Sequence, residues 1–442
     1  MRIVQAVGWY YPDHAGGTEV YVAALSRRLR EAGHDVRIAA PDAAATVART
    51  YEHDGIPVYR YPIPARPTRE ESQGAVAVRG TERLHAWIAE YAPDVVHMHT
   101  FVTGLGMPEL RIIKQLGARA IVTTHSSSLG FVCMRGTLMR WGTELCDGVA
   151  LPAKCAACVL DEHGMPRSLA NAVARTPAAL ARLSARIPGP LGTTLSMPDL
   201  VRRNLDLQRE LLALADRFVV LTDGARQILL ANGLDDARVR VNRLGVAFEP
   251  NGLMSPAKAR TRNRPVVVGY VGRFDPIKGV EVLARAVSLL APDVPLVVEF
   301  RGAARSGAET RTLERIRMLT GGDPRVRFAN FVEHREMSGV LAAYDAICCP
   351  ALCFEGGPTV ALEAAAVGVP VVGSRIGGLA EIVTDGVDGR LVPPGDAAAL
   401  AEALTAIARD PASTIDSWRA ALARPRTMDE VAADYMTMYT GG

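Results

Sequence analysis

The stretch VVVGYVGRFDPIKGVEVLARAVSLL, residues 266–290, decides the fold. It opens on a continuous apolar run, VVVGYVG (266–272), crosses a short loop carrying Arg273, Asp275 and Lys278, and enters a helix over 279–290. A continuous apolar strand leading directly into a helix indicates a parallel sheet covered on both faces. Downstream the alternation continues with PLVVEF (295–300), a helix over 308–319, RVRFAN (325–330), a helix over 335–343 and DAICCP (345–350). A helix over 358–367, VPVVGS (369–374) and a helix after Asp396 follow.

Upstream, the first third shows the same alternation independently. RIVQAVG (2–8) precedes a Gly-containing turn and a helix from about Thr18 to Ala32, with Val22, Leu25 and Leu29 on one face and Gly33 placed to cap it. DVRIAA (35–40), a helix over 80–91, DVVHMH (94–99), a helix over 104–116 and RAIVTT (119–124) complete the series. The expected fold class is α/β, with two doubly wound Rossmann-like domains facing a central cleft at the C-terminal ends of their strands. The expected domains are 1–244 and 245–424, with a linker in the Pro-, Asn-, Gly- and Ser-containing stretch Arg243–Arg264. Segment 126–205 breaks the alternation and is read as an insert, too long for a filler loop.

At 442 residues the chain is too long for one ordinary core. Apolar residues make up 49% and charged residues 22%, which excludes a disordered chain. Fifty basic and 47 acidic residues nearly cancel, so nothing in the bulk charge indicates nucleic acid. Only four lysines occur against 46 arginines. The longest stretch without a formal charge, Ala120–Met134, is too short to span a membrane. The N-terminus reads as a buried strand without a secretory signal, so a cytoplasmic protein is expected.

Three constellations follow strands. Gly16-Gly17 sit between the first strand and first helix, where the backbone can approach an anion; a plain tight turn is the alternative. Arg273 and Lys278 leave the strand at 266–272 just before a helix and suit a diphosphate, Arg as a planar fork and Lys as a point charge. In the third, Glu355, Gly356, Gly357, Pro358 and Thr359 lead into a helix carrying Glu363. A carboxylate there suits sugar hydroxyls and the amides of 356–359 suit a phosphate, although Glu355 also reads as favourable charge at a helix start. Glu363, set among Ala361, Leu362, Ala364, Ala365 and Ala366, requires a partner if buried.

The chain resembles the retaining GT-B glycosyltransferases of family four over nearly its whole length. The resemblance is carried by Pro12, Gly16, Gly17 and Glu19, by AGHDV (32–36), PDVVHMH (93–99), His125 in TTH, and GRFDPIKG (272–279). Glu355-x7-Glu363, GVPVVGSRIGGLAEIV (368–383) and DGRLVPPGD (388–396) are its strongest elements. It implies transfer of a sugar from a nucleoside-diphosphate-sugar to a glycan, lipid-linked or small-molecule acceptor, with retention and without a catalytic metal. Arg273 and Lys278 would neutralise the diphosphate. Glu355 would hold donor-sugar hydroxyls, with the amides of Gly357 and Thr359 on either side of Pro358, and Glu363 would bind the ribose. His125 would contact the donor sugar, the Gly16-Gly17 loop would close over the phosphates, and backbone near Phe331–His334 would hold the base. The last helix, within 425–442, would cross back to the first domain. Two rivals remain: an epimerase or hydrolase of nucleotide sugars on the same scaffold, and a catalytically silent donor-binding subunit.

His97 and His99 are read as pointing to opposite faces of their strand, so that at least one is structural. Cys133, Cys146, Cys155 and Cys158 contain one C-x-x-C pair and fit a structural zinc site, with free thiols or a redox-sensitive loop as the alternative left by their irregular spacing. Segment 168–187 places Leu169, Val173, Leu180, Leu183 and Ile187 at roughly helical spacing with Arg175, Arg182 and Arg186 between them, interrupted at Pro177. It reads either as a basic amphipathic helix on the inner membrane surface or as a helix packed on its own domain.

Overall fold

The structure is a computed structural model and describes residues 1–13, 16–125, 132–247, 264–304, 306–333 and 336–441. Most of the expected linker, 248–263, and His334 of the expected base site lie outside the described residues. Two compact units emerge, Met1–Arg243 with Met428–Gly442, and Leu244–Thr427.

In the first unit eight strands lie in the order Val239–Val241, Arg217–Val220, Arg119–Thr124, Val95–Met98, Arg2–Ala6, Asp35–Asp42, Ile56–Pro62, Arg49–His53. All neighbours run parallel except the last pair. That hairpin is absent from the sequence reading; its inner strand carries Pro57 and Pro62, each near a strand end where only one of the two neighbouring strands pairs. The missed signal is Asp54-Gly55, whose φ angles of 50° and 73° make the tight hairpin turn. Strand order reverses between Arg2–Ala6 and Val95–Met98, so the chain leaving each of them opens a crevice at that switch point.

The second unit is a six-stranded parallel sheet in the order Val326–Asn330, Leu296–Gly302, Val266–Val271, Ala346–Cys349, Val371–Ser374, Gly389–Val392. Val266, Val268, Phe300 and Ala346 are buried in one core with Leu283, Ala284 and Val287 of helix Val280–Ser288. The apolar run at 266–272 is thus explained by a central strand covered on both faces. Here the order reverses between Val266–Val271 and Ala346–Cys349, which pair through Val268 with Ala346 and Gly269 with Ile347. The loops after those two strands therefore leave side by side.

The insert differs from its sequence reading in two ways. Segment 168–187 is not one interrupted helix but two, Arg167–Val173 and Ala178–Ser184, because Pro166 and Pro177 each sit immediately before a helix start. The expected end at 205 falls inside a 25-residue helix, Pro190–Leu214, whose internal Pro198 and the preceding IPGPLG mislead the eye. Helices Arg167–Val173 and Pro190–Leu214 share a small core with helix Pro152–Glu162, built from Ala156, Leu160, Ala170, Ala174, Met197 and Val201.

Candidate active site

Lys278 ends a short 3-10 turn, Pro276–Lys278, which Asp275 caps by accepting the Ile277 N–H at 3.1 Å. Gly279 follows with φ +70°, and a Cβ there would stand 1.7 Å from the Pro350 carbonyl, so only glycine lets this loop press against the neighbouring strand end. The Leu352 N–H also donates to the Ile277 carbonyl at 2.8 Å. These contacts bring Lys278 Nζ to 2.5 Å from Glu355 Oε1. Glu355 is further held by the Cys353 thiol, which donates to Oε1 at 3.4 Å, and by its own carbonyl accepting the Gly378 N–H at 2.7 Å. Burial alone would depress the Lys278 ammonium; the adjacent carboxylate outweighs it and holds the pKa above the ordinary lysine value.

Arg273 lies half-exposed at the same loop, its guanidinium 3.4 Å from Asp275 and 3.3 Å from buried Glu309. Glu309 belongs to the Ser306-capped helix Gly307–Thr320. The sequence reading did not single it out, since one Glu in a polar helix start carries no distinguishing signal. Gly357 and Pro358 lead into helix Thr359–Ala366, on which Glu363 is buried. Burial pushes its carboxyl up to about 7. Arg273, Lys278, Glu355, Gly357, Thr359 and Glu363 thus come from the loop and helix following each of two adjacent strands.

In the first unit Gly16 precedes helix Gly17–Glu31, and its N–H donates to the Glu19 carboxylate at 2.7 Å. His97 and His99 do not point to opposite faces: their ring centroids are 3.9 Å apart. Residues two apart on a strand share a face, so the expectation misapplied the strand period. Both rings are fully buried and join a network with His125. His99 Nε2 donates to Gln5 Oε1 at 2.6 Å, and Gln5 Nε2 donates to the Tyr439 hydroxyl at 3.2 Å. His99 Nδ1 lies 3.0 Å from His125 Nε2. His97 bridges the Tyr439 hydroxyl at 2.6 Å and Thr123 Oγ1 at 2.7 Å. Burial holds His97 and His99 well below the usual imidazole value and takes His125 down to about 4, so all three are neutral near pH 7. With its Nε2 proton committed to Gln5, neutral His99 accepts from His125 Nε2, which leaves His125 Nδ1 as the acceptor nitrogen. Gln5, a polar residue inside RIVQAVG, is the legible trace of this network; Tyr435 and Tyr439, from helix Met428–Thr440, left none.

All four cysteines of the insert line one cavity, along with Leu138 and Lys154. The Leu138 N–H donates to Cys133 Sγ at 3.3 Å and the Trp141 N–H to Cys158 Sγ at 3.4 Å. Burial pushes the Cys155 thiol up to about 11 and raises Cys146. Among the described residues, however, no group of three or more His, Cys, Asp or Glu is arranged to hold a metal ion. The four thiols are gathered but not closed.

Two Rossmann-like α/β units in one chain are the architecture of the GT-B fold, which the chain's solved neighbours share. The profile of the glycosyl transferase 4-like domain matches residues 16–245 and that of glycosyl transferases group 1 matches residues 265–410, so the chain belongs to this glycosyltransferase family. A D-inositol 3-phosphate glycosyltransferase of Nocardioides sp. is 30% identical over 425 residues, 90% of this chain and 79% of that one. The Kribbella flavida protein of the same name is 27% identical over 92% of this chain and 86% of its own. Among solved structures, sucrose-phosphate synthase from Thermosynechococcus elongatus covers 100% of this chain and 98% of its own with a TM-score of 0.65 at 22% identity. Anabaena HepE in complex with UDP-glucose covers 100% of both chains with a TM-score of 0.64 at 16% identity.

Proposed function

We propose that this glycosyltransferase moves a sugar from a nucleoside-diphosphate-sugar to a hydroxyl acceptor with retention of anomeric configuration. The observation that carries the reading is the Lys278–Glu355 pair at the switch point of the second unit, with Arg273 on the same loop. Arg273 and Lys278 supply positive charge where the departing diphosphate gains negative charge. Glu355 holds donor-sugar hydroxyls near the anomeric carbon, and the Gly357 and Thr359 amides flank it. Glu363 accepts from the ribose hydroxyls. His125, through its acceptor nitrogen Nδ1, and the Gly16-Gly17 turn are assigned to the same reaction on their motif resemblance. No residue of the set is placed as a covalent nucleophile, which favours departure and attack on one face of the sugar. The acceptor is a glycan, a lipid-linked sugar or a small molecule; D-inositol 3-phosphate, named for the curated relatives, is the first compound to try.

Anomeric proton signals, followed by NMR during incubation of UDP-, GDP- and ADP-sugars with and without acceptor, test this reading. The expected result is donor consumption that requires acceptor and a product of the donor's own anomeric configuration. Rapid donor turnover without acceptor would instead indicate an epimerase or hydrolase.

A structural zinc at Cys133, Cys146, Cys155 and Cys158 is a separate proposal, supported by the shared cavity and by amides aimed at two sulfurs. Binding requires the thiols to draw together from their present positions, and no step of the reaction involves the ion. Purified chain is expected to hold about one zinc per molecule, lost in Cys155→Ser. Metal-free protein with four titratable thiols in this loop contradicts it.

A further inference from the structure

Residues 163–198 contain four arginines, Arg167, Arg175, Arg182 and Arg186, and no Asp or Glu, in a chain whose charges otherwise nearly balance. The helices built from this segment are packed the reverse way from an ordinary surface helix. Their small residues Ala170, Ala174 and Ala181 are buried, while Leu169, Leu180, Leu183, Ile187 and Leu191 are between 45% and 64% exposed. A helix that packs through its leucines turns them to the core; these helices pack through their alanines and leave the large apolar side chains outward, so burial in their own domain does not account for them. Leu180, Leu183 and Ile187 are spaced three and four apart, and backbone bonds from Ala185, Arg186 and Ile187 to the carbonyls three residues earlier carry the turn through Ile187, placing them on one face. Arg175 and Arg186 are exposed and make no ion pair among the described residues, whereas Arg167 and Arg182 are tied to Asp161 at 3.6 Å and Asp199 at 3.1 Å.

We propose that this face docks on an anionic lipid surface. The leucines and Ile187 enter the boundary between headgroups and acyl chains, and Arg175 and Arg186 meet the anionic headgroups. A two-fold contact with a second copy would set the arginine-bearing face against itself, like charge against like. Among the described residues no helix is long and apolar enough to cross a membrane, so the attachment is one of lying on the surface. The inference does not depend on the donor site, although it narrows the acceptor toward molecules presented at a lipid surface.

The test is co-sedimentation of the full chain with vesicles of phosphatidylcholine alone and of phosphatidylcholine mixed with phosphatidylglycerol, at low and high salt. The chain is expected to pellet with the anionic vesicles and not with phosphatidylcholine alone, and to be released by salt. The triple variant Leu180→Ser, Leu183→Ser, Ile187→Ser should bind weaker by on the order of a hundredfold. Arg175→Gln with Arg186→Gln should bind about tenfold weaker, with a flatter salt dependence. Both variants should keep the wild-type thermal midpoint, because the altered side chains are exposed, so that lost binding is not lost folding. Failure of the wild type to bind anionic vesicles, or binding by the triple variant equal to wild type, overturns the proposal. A wild-type dimer that dissociates in the triple variant while neither binds vesicles assigns the face to a second copy and overturns it too.

Discussion

Lys278→Ala and Glu355→Ala each lower sugar transfer by on the order of a thousandfold, expressed chiefly in kcat. The two groups stand 2.5 Å apart and belong to loops held together at Gly279–Pro350 and Leu352–Ile277. On the proposed reading, removing Lys278 takes away a cation beside the departing diphosphate, and it leaves the Glu355 carboxylate without its ion-pair partner. The developing charge on the diphosphate is then stabilised by Arg273 alone, which is already shared with Glu309 and Asp275. Removing Glu355 leaves the ammonium in place but without the carboxylate that orients it. Lys278→Arg is not expected to rescue, because a planar fork cannot replace a point charge in so short a contact. Circular dichroism and steady-state kinetics on the same preparations separate this loss from unfolding. Activity within tenfold of wild type in both alanine variants removes the assignment.

Glu363→Gln stabilises the protein at pH 8 by about 3 kcal/mol, and the gain falls to less than about half a kcal/mol near pH 4.5. Burial raises the Glu363 carboxyl to about 7 in the folded chain, against an ordinary value near 4.5. Below both values the carboxyl is neutral folded and unfolded, and its ionisation costs nothing. Between them the unfolded chain ionises while the folded chain does not, so stability falls as pH rises through this window; above about 7 the penalty is complete. Glutamine keeps the shape and carries no charge, so it removes the penalty. Urea unfolding at pH 4.5, 6 and 8 measures the difference; a gain that is constant across the three assigns it to packing rather than to the charge. On the proposed assignment of this carboxylate to the ribose, the same substitution is expected to weaken donor binding.

The placement of the candidate residues was legible because it follows from sheet topology. Apolar runs at 2–8 and 266–272 each led into a helix, and that pattern already put Arg273, Lys278, Glu355 and Glu363 after strands. Pairings across long separations were not legible. Nothing in the sequence near Lys278 states that Pro350 closes on Gly279, and the ion pair with Glu355 depends on that approach. Tyr439 is 434 residues from Gln5, yet the two share a hydrogen bond at the base of His125. The hairpin at 49–62 and the helix at 190–214 were obscured by prolines: Pro57 and Pro62 sit near the ends of their strand, where one side is unpaired, and Pro198 lies inside a helix long enough to carry it. The histidine pair was misjudged through the period of the strand and not through any lack of signal.

Calorimetric titration of UDP, GDP and ADP into the wild-type chain and into Lys278→Ala reads the proposed diphosphate site itself. One nucleoside diphosphate is expected to bind the wild type at micromolar concentration, with its affinity lower by about a hundredfold in the variant. Binding of equal strength to both proteins, or no binding of any of the three to the wild type, would contradict that assignment.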